Sequence, residues 1–187
     1  MKYILLTVFI LSINATAQNE IDTSSAQISV GRCAPTFSLP QLDQKYVSLR
    51  DYCGEALRKP WINKIKHVVV LSFFATWCKP CIAEIPHLEK IEKDFKDLPI
   101  KFFLIDVGED RDTIKKFVND RGIHLTVLLD RYNKISEKYG IQSLPRLLVI
   151  DKNGIIKKVQ SGFSDAKSFE KDMITLLLEL LDEDKPK

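Results

Sequence analysis

The sequence predicts an α/β three-layer sandwich, and three observations carry that reading. From residue 67 onward, short runs of β-branched and aromatic residues alternate with stretches of helical spacing, the pattern of parallel strands joined by crossover helices. The run His67-Val68-Val69-Val70-Leu71-Ser72-Phe73-Phe74 is apolar almost without a break, as a strand covered on both faces must be. The alternation closes on two strand-like runs joined by Asp151-Lys152-Asn153-Gly154, a hairpin that adds an antiparallel edge. A chain of 187 residues, 45% apolar, is long enough to bury one ordinary core.

Taken in order, Met1-Lys2, the apolar run Tyr3 to Ile13 and Ala15-Thr16-Ala17 have the charged, apolar and small-residue parts of a secretory signal. Residues 1–17 are therefore expected to be a cleaved signal peptide; the alternative is an uncleaved N-terminal membrane anchor, for which the run is short. Cleavage places the mature chain in the periplasm or an equivalent extracytoplasmic space, where disulfides persist. Residues 18–30 are polar and without period and read as a flexible arm. The folded domain is expected over 31–182, with 183–187 a polar tail. Ala34 to Pro40 alternates, Gln41 to Lys45 turns, and Tyr46 to Leu49 returns: an N-terminal β-hairpin. Gly54 to Lys66 connects to the buried strand, with Pro60-Trp61 expected as a packing contact.

The helix after Cys78 carries Ile82, Ile85, Leu88, Ile91 and Phe95 at helical spacing, with Pro86 inside it. Ile100 to Val107 is a second buried strand, Asp112 to Arg121 a helix closed by Gly122, and Leu125 to Leu129 a third strand. Asn133 to Tyr139 is a short helix ended by Gly140. Arg146 to Ile150 and Ile155 to Val159 form the last hairpin. Asp165 to Leu181 sets Phe169, Met173, Leu176, Leu177 and Leu180 on one core stripe.

The chemistry concentrates in Trp77-Cys78-Lys79-Pro80-Cys81. Two thiols separated by two residues can close into a disulfide and reopen without large backbone movement. They stand where a strand gives way to a helix, and the unpaired N–H groups and positive dipole end there favour thiolate over thiol. Cys78 is the expected attacking sulfur and Cys81 the resolving one, with Trp77 shielding one side. Positions 81, 84, 88, 91 and 95 share a helix face, which aims the Glu84 carboxyl at the core beneath Cys81. A carboxyl partly removed from water there would hold its proton more tightly and could exchange it with the resolving thiol; the competing reading is an exposed glutamate favoured by the helix dipole. No second C-x-x-C and no H-x-x-x-H accompanies the pair, so no metal is expected, and thiol exchange needs no cofactor. His67, His87 and His124 read as surface or packing residues. The net charge of +3 is spread among acids, which argues against a nucleic-acid partner.

Ala34-Pro35-x-Phe37-x-Leu39, Phe73-Phe74-Ala75-Thr76-Trp77-Cys78-x-Pro80-Cys81, Glu84-x-Pro86 and Ile150-Asp151-x-x-Gly154 resemble the landmarks of the thioredoxin superfamily, and within it the exported TlpA/ResA-like thiol-disulfide oxidoreductases. The likeness covers roughly residues 31–181. It implies a thioredoxin-like three-layer sandwich with the N-terminal β-hairpin and a central helix-strand insertion over 111–130. It also implies a cis peptide at Pro145, so that Leu144, Pro145 and Trp77 would hold an extended substrate segment. Three departures stand out. Ser72 replaces a buried Asp, which makes Glu84 the better proton carrier. Arg146 follows Pro145 where Thr is commonest, which favours an acidic partner. Cys33 and Cys53 are not family landmarks: they are expected as a structural disulfide closing a loop worth about 3 kcal/mol, or else as free thiols or a second redox pair.

The resemblance implies a monomeric enzyme that reduces or exchanges disulfides in partner proteins, fed by a membrane-linked electron donor, in cytochrome c maturation or thiol repair. A peroxiredoxin-like peroxidase is an alternative, although its Pro-x-x-x-Thr-x-x-Cys context is absent from the sequence. A Sco-like copper-delivery module is another, but its cysteines have three intervening residues where this chain has Lys79-Pro80.

Overall fold

The structure, a computed structural model, describes residues 28–183. The expected signal peptide, most of the 18–30 arm and nearly all of the polar tail lie outside the described residues. Seven strands and four helices follow one another: β1 Ser38–Pro40, β2 Tyr46–Ser48, β3 Val68–Phe74, α1 Lys79–Asp94, β4 Ile100–Val107, α2 Arg111–Arg121, β5 Thr126–Asp130, α3 Lys134–Lys138, β6 Arg146–Ile150, β7 Ile156–Ser161 and α4 Ala166–Asp182.

β1 and β2 form the small N-terminal hairpin, and the other strands make one sheet in the order β5-β4-β3-β6-β7. β3, β4 and β5 run parallel, while β6 lies antiparallel to β3 and β7 to β6. The antiparallel hairpin thus reaches inward to the central strand. β3 is buried along its whole length because each of its faces meets a separate core. Val68, Val70 and Phe74 join Ile85, Leu88 and Ile91 of α1, Ile114 of α2, and Phe169, Met173, Leu177 and Leu180 of α4. Val69, Leu71 and Phe73 join Phe37, Leu39 and Val47 of the hairpin region, with Tyr139 after α3. The sheet is the middle layer, and the hairpin with α3 completes the second outer layer.

The helix ends follow ordinary capping chemistry. Asp110 and Asp165 accept backbone N–H groups at the starts of α2 and α4, and Gly122 closes α2 at φ 62°, a conformation that glycine adopts without strain. Gly154 in the last hairpin is at φ +84°, and a Cβ there would sit 3.0 Å from the Gly54 Cα, so glycine alone fits that approach. α1 runs through Pro86. His87 pairs with Glu170 at 2.6 Å and so ties α1 to α4. His67 is buried against Tyr52, and His124 is exposed.

Two expectations fail here. Trp61 is not a packing contact: it is 64% exposed, because the polar residues around it hold its loop and leave the indole outside. Cys33 and Cys53 are separate thiols. Cys33 stands exposed where the chain bridges to Ile155. Cys53 is buried in the second core with its Sγ turned to the Leu49 carbonyl at 3.8 Å.

Candidate active site

The carboxyl end of β3 gathers the reactive groups. Cys78 is the N-cap of α1, and Pro80 lies in the first turn of that helix, where its missing N–H costs nothing. The two sulfurs are bonded, with Cα atoms 5.3 Å apart. The Cys81 N–H also points at the Cys78 Sγ, at 3.3 Å, so once the bond opens a Cys78 thiolate inherits a backbone donor and the positive helix end. Exposure is unequal: Cys78 retains 4% and Cys81 none, so a partner can approach only through Cys78. Trp77 is 71% exposed, so it projects into solvent next to the pair and does not shield it.

Glu84 is 1% exposed, which excludes the reading of it as a surface residue of the first turn. Ser72 on β3 donates to its Oε2 at 2.7 Å, while Oε1 is buried without a hydrogen-bond partner. Burial outweighs the Ser72 bond and lifts the carboxyl from its ordinary 4.5 to about 7. Ser72 therefore anchors the acid at one oxygen and leaves the other available.

The Leu144–Pro145 peptide is cis. The register places Arg146 opposite Phe73, so Pro145 lies beside the end of β3 that leads into the redox loop. The Pro145 carbonyl accepts from Gly162 N–H at 2.9 Å, and Arg146 donates to Ser161 Oγ.

Two acids join the site without having been singled out in the sequence. Glu109 accepts from Thr76 N–H at 2.7 Å and from Thr76 Oγ1 at 2.5 Å, clamping the residue just before Trp77-Cys78. Its own N–H donates to Asp106 Oδ2 at 3.2 Å. Asp106 is fully buried, with Oδ1 unpartnered. Burial first, and the Glu109 charge second, push its carboxyl up to about 8. The register pairs Asp106 with Phe74, so both acids occupy the carboxyl end of the parallel strands, where α/β folds gather their polar groups. No spacing within one segment of the sequence signals that arrangement, which is made across the sheet.

Residues 30–159 match the model of the AhpC/TSA family. The chain belongs to the AhpC/TSA family. Among curated relatives, the thiol-disulfide oxidoreductase ResA of Geobacillus thermodenitrificans is 28% identical over 162 residues, covering 87% of this chain and 86% of that one. The protein of the same name from Bacillus subtilis is 28% identical over 158 residues, covering 84% and 82%. A crystal structure of a thioredoxin-family thiol:disulfide interchange protein from Chlorobium tepidum superposes with a TM-score of 0.61 at 25% identity, covering 80% of this chain and 99% of that one. The fold is thioredoxin-like, with a five-stranded sheet and the N-terminal hairpin, and the enzyme is a thiol-disulfide oxidoreductase of the ResA kind.

Proposed function

We propose that the mature chain works outside the cytosol, reducing or exchanging disulfides in partner proteins through Cys78 and Cys81. The observation that carries the reading is a closed Cys78–Cys81 pair on a helix N-terminus, with one sulfur reachable and a buried acid, Glu84, on the same helix one turn after the other.

In the reduced enzyme the Cys78 thiolate attacks one sulfur of a partner disulfide. An enzyme–partner disulfide forms and the partner's other sulfur leaves as a thiolate that takes a proton. Cys81 then gives its proton to the Glu84 carboxylate and attacks the Cys78 Sγ. The second partner sulfur departs, and two electrons have passed from the enzyme pair to the partner. An external dithiol donor restores the enzyme. The substrate segment lies along Leu144, Pro145 and Trp77; because the Pro145 carbonyl is engaged by Gly162, backbone pairing falls to Leu144. Glu109 positions the loop through Thr76.

The apolar run Tyr3 to Ile13 supports export, and no helix among the described residues is long and apolar enough to cross a membrane. Replacing Cys81 by Ala should trap the mixed disulfide with partner proteins, and the intact enzyme should reduce insulin. Absence of any adduct together with unreduced insulin would overturn the proposal, and rapid peroxide consumption would move the chain to the peroxidases. Loss of c-type haem in cells lacking the protein would assign it to cytochrome c maturation; normal c-type haem with oxidised exported thiols would assign it to repair.

A further inference from the structure

The segment Arg58-Lys59-Pro60-Trp61-Ile62-Asn63-Lys64-Ile65-Lys66 reverses the usual placement of side chains. Two of its polar residues, Arg58 and Asn63, tie it to the protein. Arg58 grips the buried Asp51 carboxylate through Nε at 2.6 Å and Nη2 at 2.9 Å. Asn63 Nδ2 donates to the Asp51 carbonyl at 2.8 Å, Arg58 N–H to the Arg50 carbonyl at 2.7 Å, and His67 N–H to the Tyr52 carbonyl at 2.7 Å. These bonds hold the loop in place. Its large apolar residues face water: Trp61 is 64% exposed, Ile62 60% and Ile65 60%. Scattered exposed apolar residues are ordinary, but three within five positions on a tethered loop make a patch that calls for a ligand.

The charge around the patch narrows the ligand. Lys59, Lys64 and Lys66 interleave with the apolar residues, and the nine-residue segment has no acid. The Lys59 ammonium lies 5.2 Å from the Trp61 ring centre, and Lys66 reaches Asn153 at 3.5 Å. An indole, aliphatic side chains and unopposed lysines on a protruding loop match the interface of an anionic bilayer, where the indole sits at headgroup depth and the lysines meet phosphate.

The position in the fold agrees. The loop leads into the amino end of β3, whereas Cys78 follows its carboxyl end. The described chain also enters at the loop's pole, where Gly31 N–H donates to the Ile156 carbonyl and Ala34 N–H to the Gly154 carbonyl, each at 2.8 Å. A protein resting on this pole would present its redox pair away from the surface.

We propose that the Arg58–Lys66 loop is a docking site for the surface of an anionic phospholipid bilayer, with Trp61, Ile62 and Ile65 entering the interface and Lys59, Lys64 and Lys66 lying over the headgroups. The test is co-sedimentation of the whole chain with phosphatidylcholine vesicles, with and without phosphatidylglycerol. Trp61 emission is followed in a Trp77→Phe background, which leaves one indole. The loop variants carry the same N-terminal segment, so any difference between them belongs to the loop.

Binding is expected to require phosphatidylglycerol, to weaken with salt and to shift Trp61 emission to the blue. Lys59→Gln and Lys64→Gln are each expected to lower partitioning about fivefold, the equivalent of about 1 kcal/mol per surface charge. The triple variant Trp61→Ala, Ile62→Ser, Ile65→Ser should lower it about a hundredfold while still reducing insulin in solution at the full rate. Equal binding to both vesicle types, or Trp61 emission unmoved by vesicles, would overturn the proposal. So would concentration-dependent self-association abolished by the triple variant, which would give the patch to a second copy of the chain.

Discussion

Replacing Glu84 by Gln removes an ionisable group from the core beneath the redox pair, and its signature is a pH dependence. Burial holds the carboxyl at about 7 in place of 4.5. An acid raised in this way binds its proton more tightly folded than unfolded, so it favours the folded state at low pH; stability is lost as the pH climbs from 4.5 through about 7. At 1.36 kcal/mol per pH unit, the interval corresponds to about 3 kcal/mol. The amide cannot ionise but keeps an oxygen for Ser72. Any fixed cost of seating its NH2 where Oε1 lacked a partner is the same at every pH. Urea unfolding of the oxidised protein and of Glu84→Gln, from pH 4 to pH 8, should show the stability difference moving in favour of the variant by about 3 kcal/mol, with other acids cancelling between the two curves. Parallel curves would refute the buried, titrating carboxyl. The same variant should slow release of a trapped partner near neutral pH by about a hundredfold, the ordinary scale for a lost acid–base group.

Ser72→Ala withdraws the bond that moderates Glu84, so the pH at which resolution becomes fast should move upward; stopped-flow resolution of a mixed disulfide across pH would detect it, and an unmoved profile would deny the coupling. Asp106→Asn should gain stability relative to the native protein as the pH climbs from about 4 towards 8, because burial and Glu109 hold the native acid at about 8 in place of 3.8 and over that interval the unfolded chain gives up its proton while the fold does not; thermal scans at pH 4 and pH 8 decide it. In the oxidised native protein iodoacetamide should label Cys33 and spare Cys53, since Cys33 is exposed and burial pushes the Cys53 thiol up to about 12. Mass mapping that finds both labelled, or neither, would contradict the described environments.

What could be read in advance was what periodicity encodes. Glu84 was legible because Cys81, Leu88 and Ile91 repeat on its helix face, and a face that buries leucine buries a glutamate in line with it. Asp106 and Glu109 escaped because their relation to the redox loop is made across the sheet, by the pairing of Phe74 with Asp106 and the grip of Glu109 on Thr76; no spacing along one segment records that. Cys33 and Cys53 misled for the converse reason. Both flank the hairpin in sequence, yet the turn after Leu49 directs one sulfur into the core while the other stays at the surface. Trp61 misled because a large apolar side chain is expected inside, whereas Arg58 and Asn63 spend the loop's polar contacts on Asp51 and leave the indole out.

The unequal exposure of the two sulfurs explains why an acid belongs beneath them. When the disulfide opens, the sulfur of Cys78 emerges at a helix N-terminus that tolerates a charge. The sulfur of Cys81 emerges fully buried beside Ile85 and Leu88, where an unpaired anion would cost several kcal/mol. A proton must therefore arrive at Cys81 with the electrons and leave before it attacks again, and solvent cannot bring it there directly. In the proposed mechanism Glu84 meets that requirement because it is itself buried: a carboxyl held at about 7 is neither always charged nor always neutral near neutral pH. Ser72 fixes one of its oxygens, so the unpartnered one is left to carry the proton. The residue that weakens the fold above neutral pH is then, in the proposed mechanism, the same one that lets the second half of the exchange proceed.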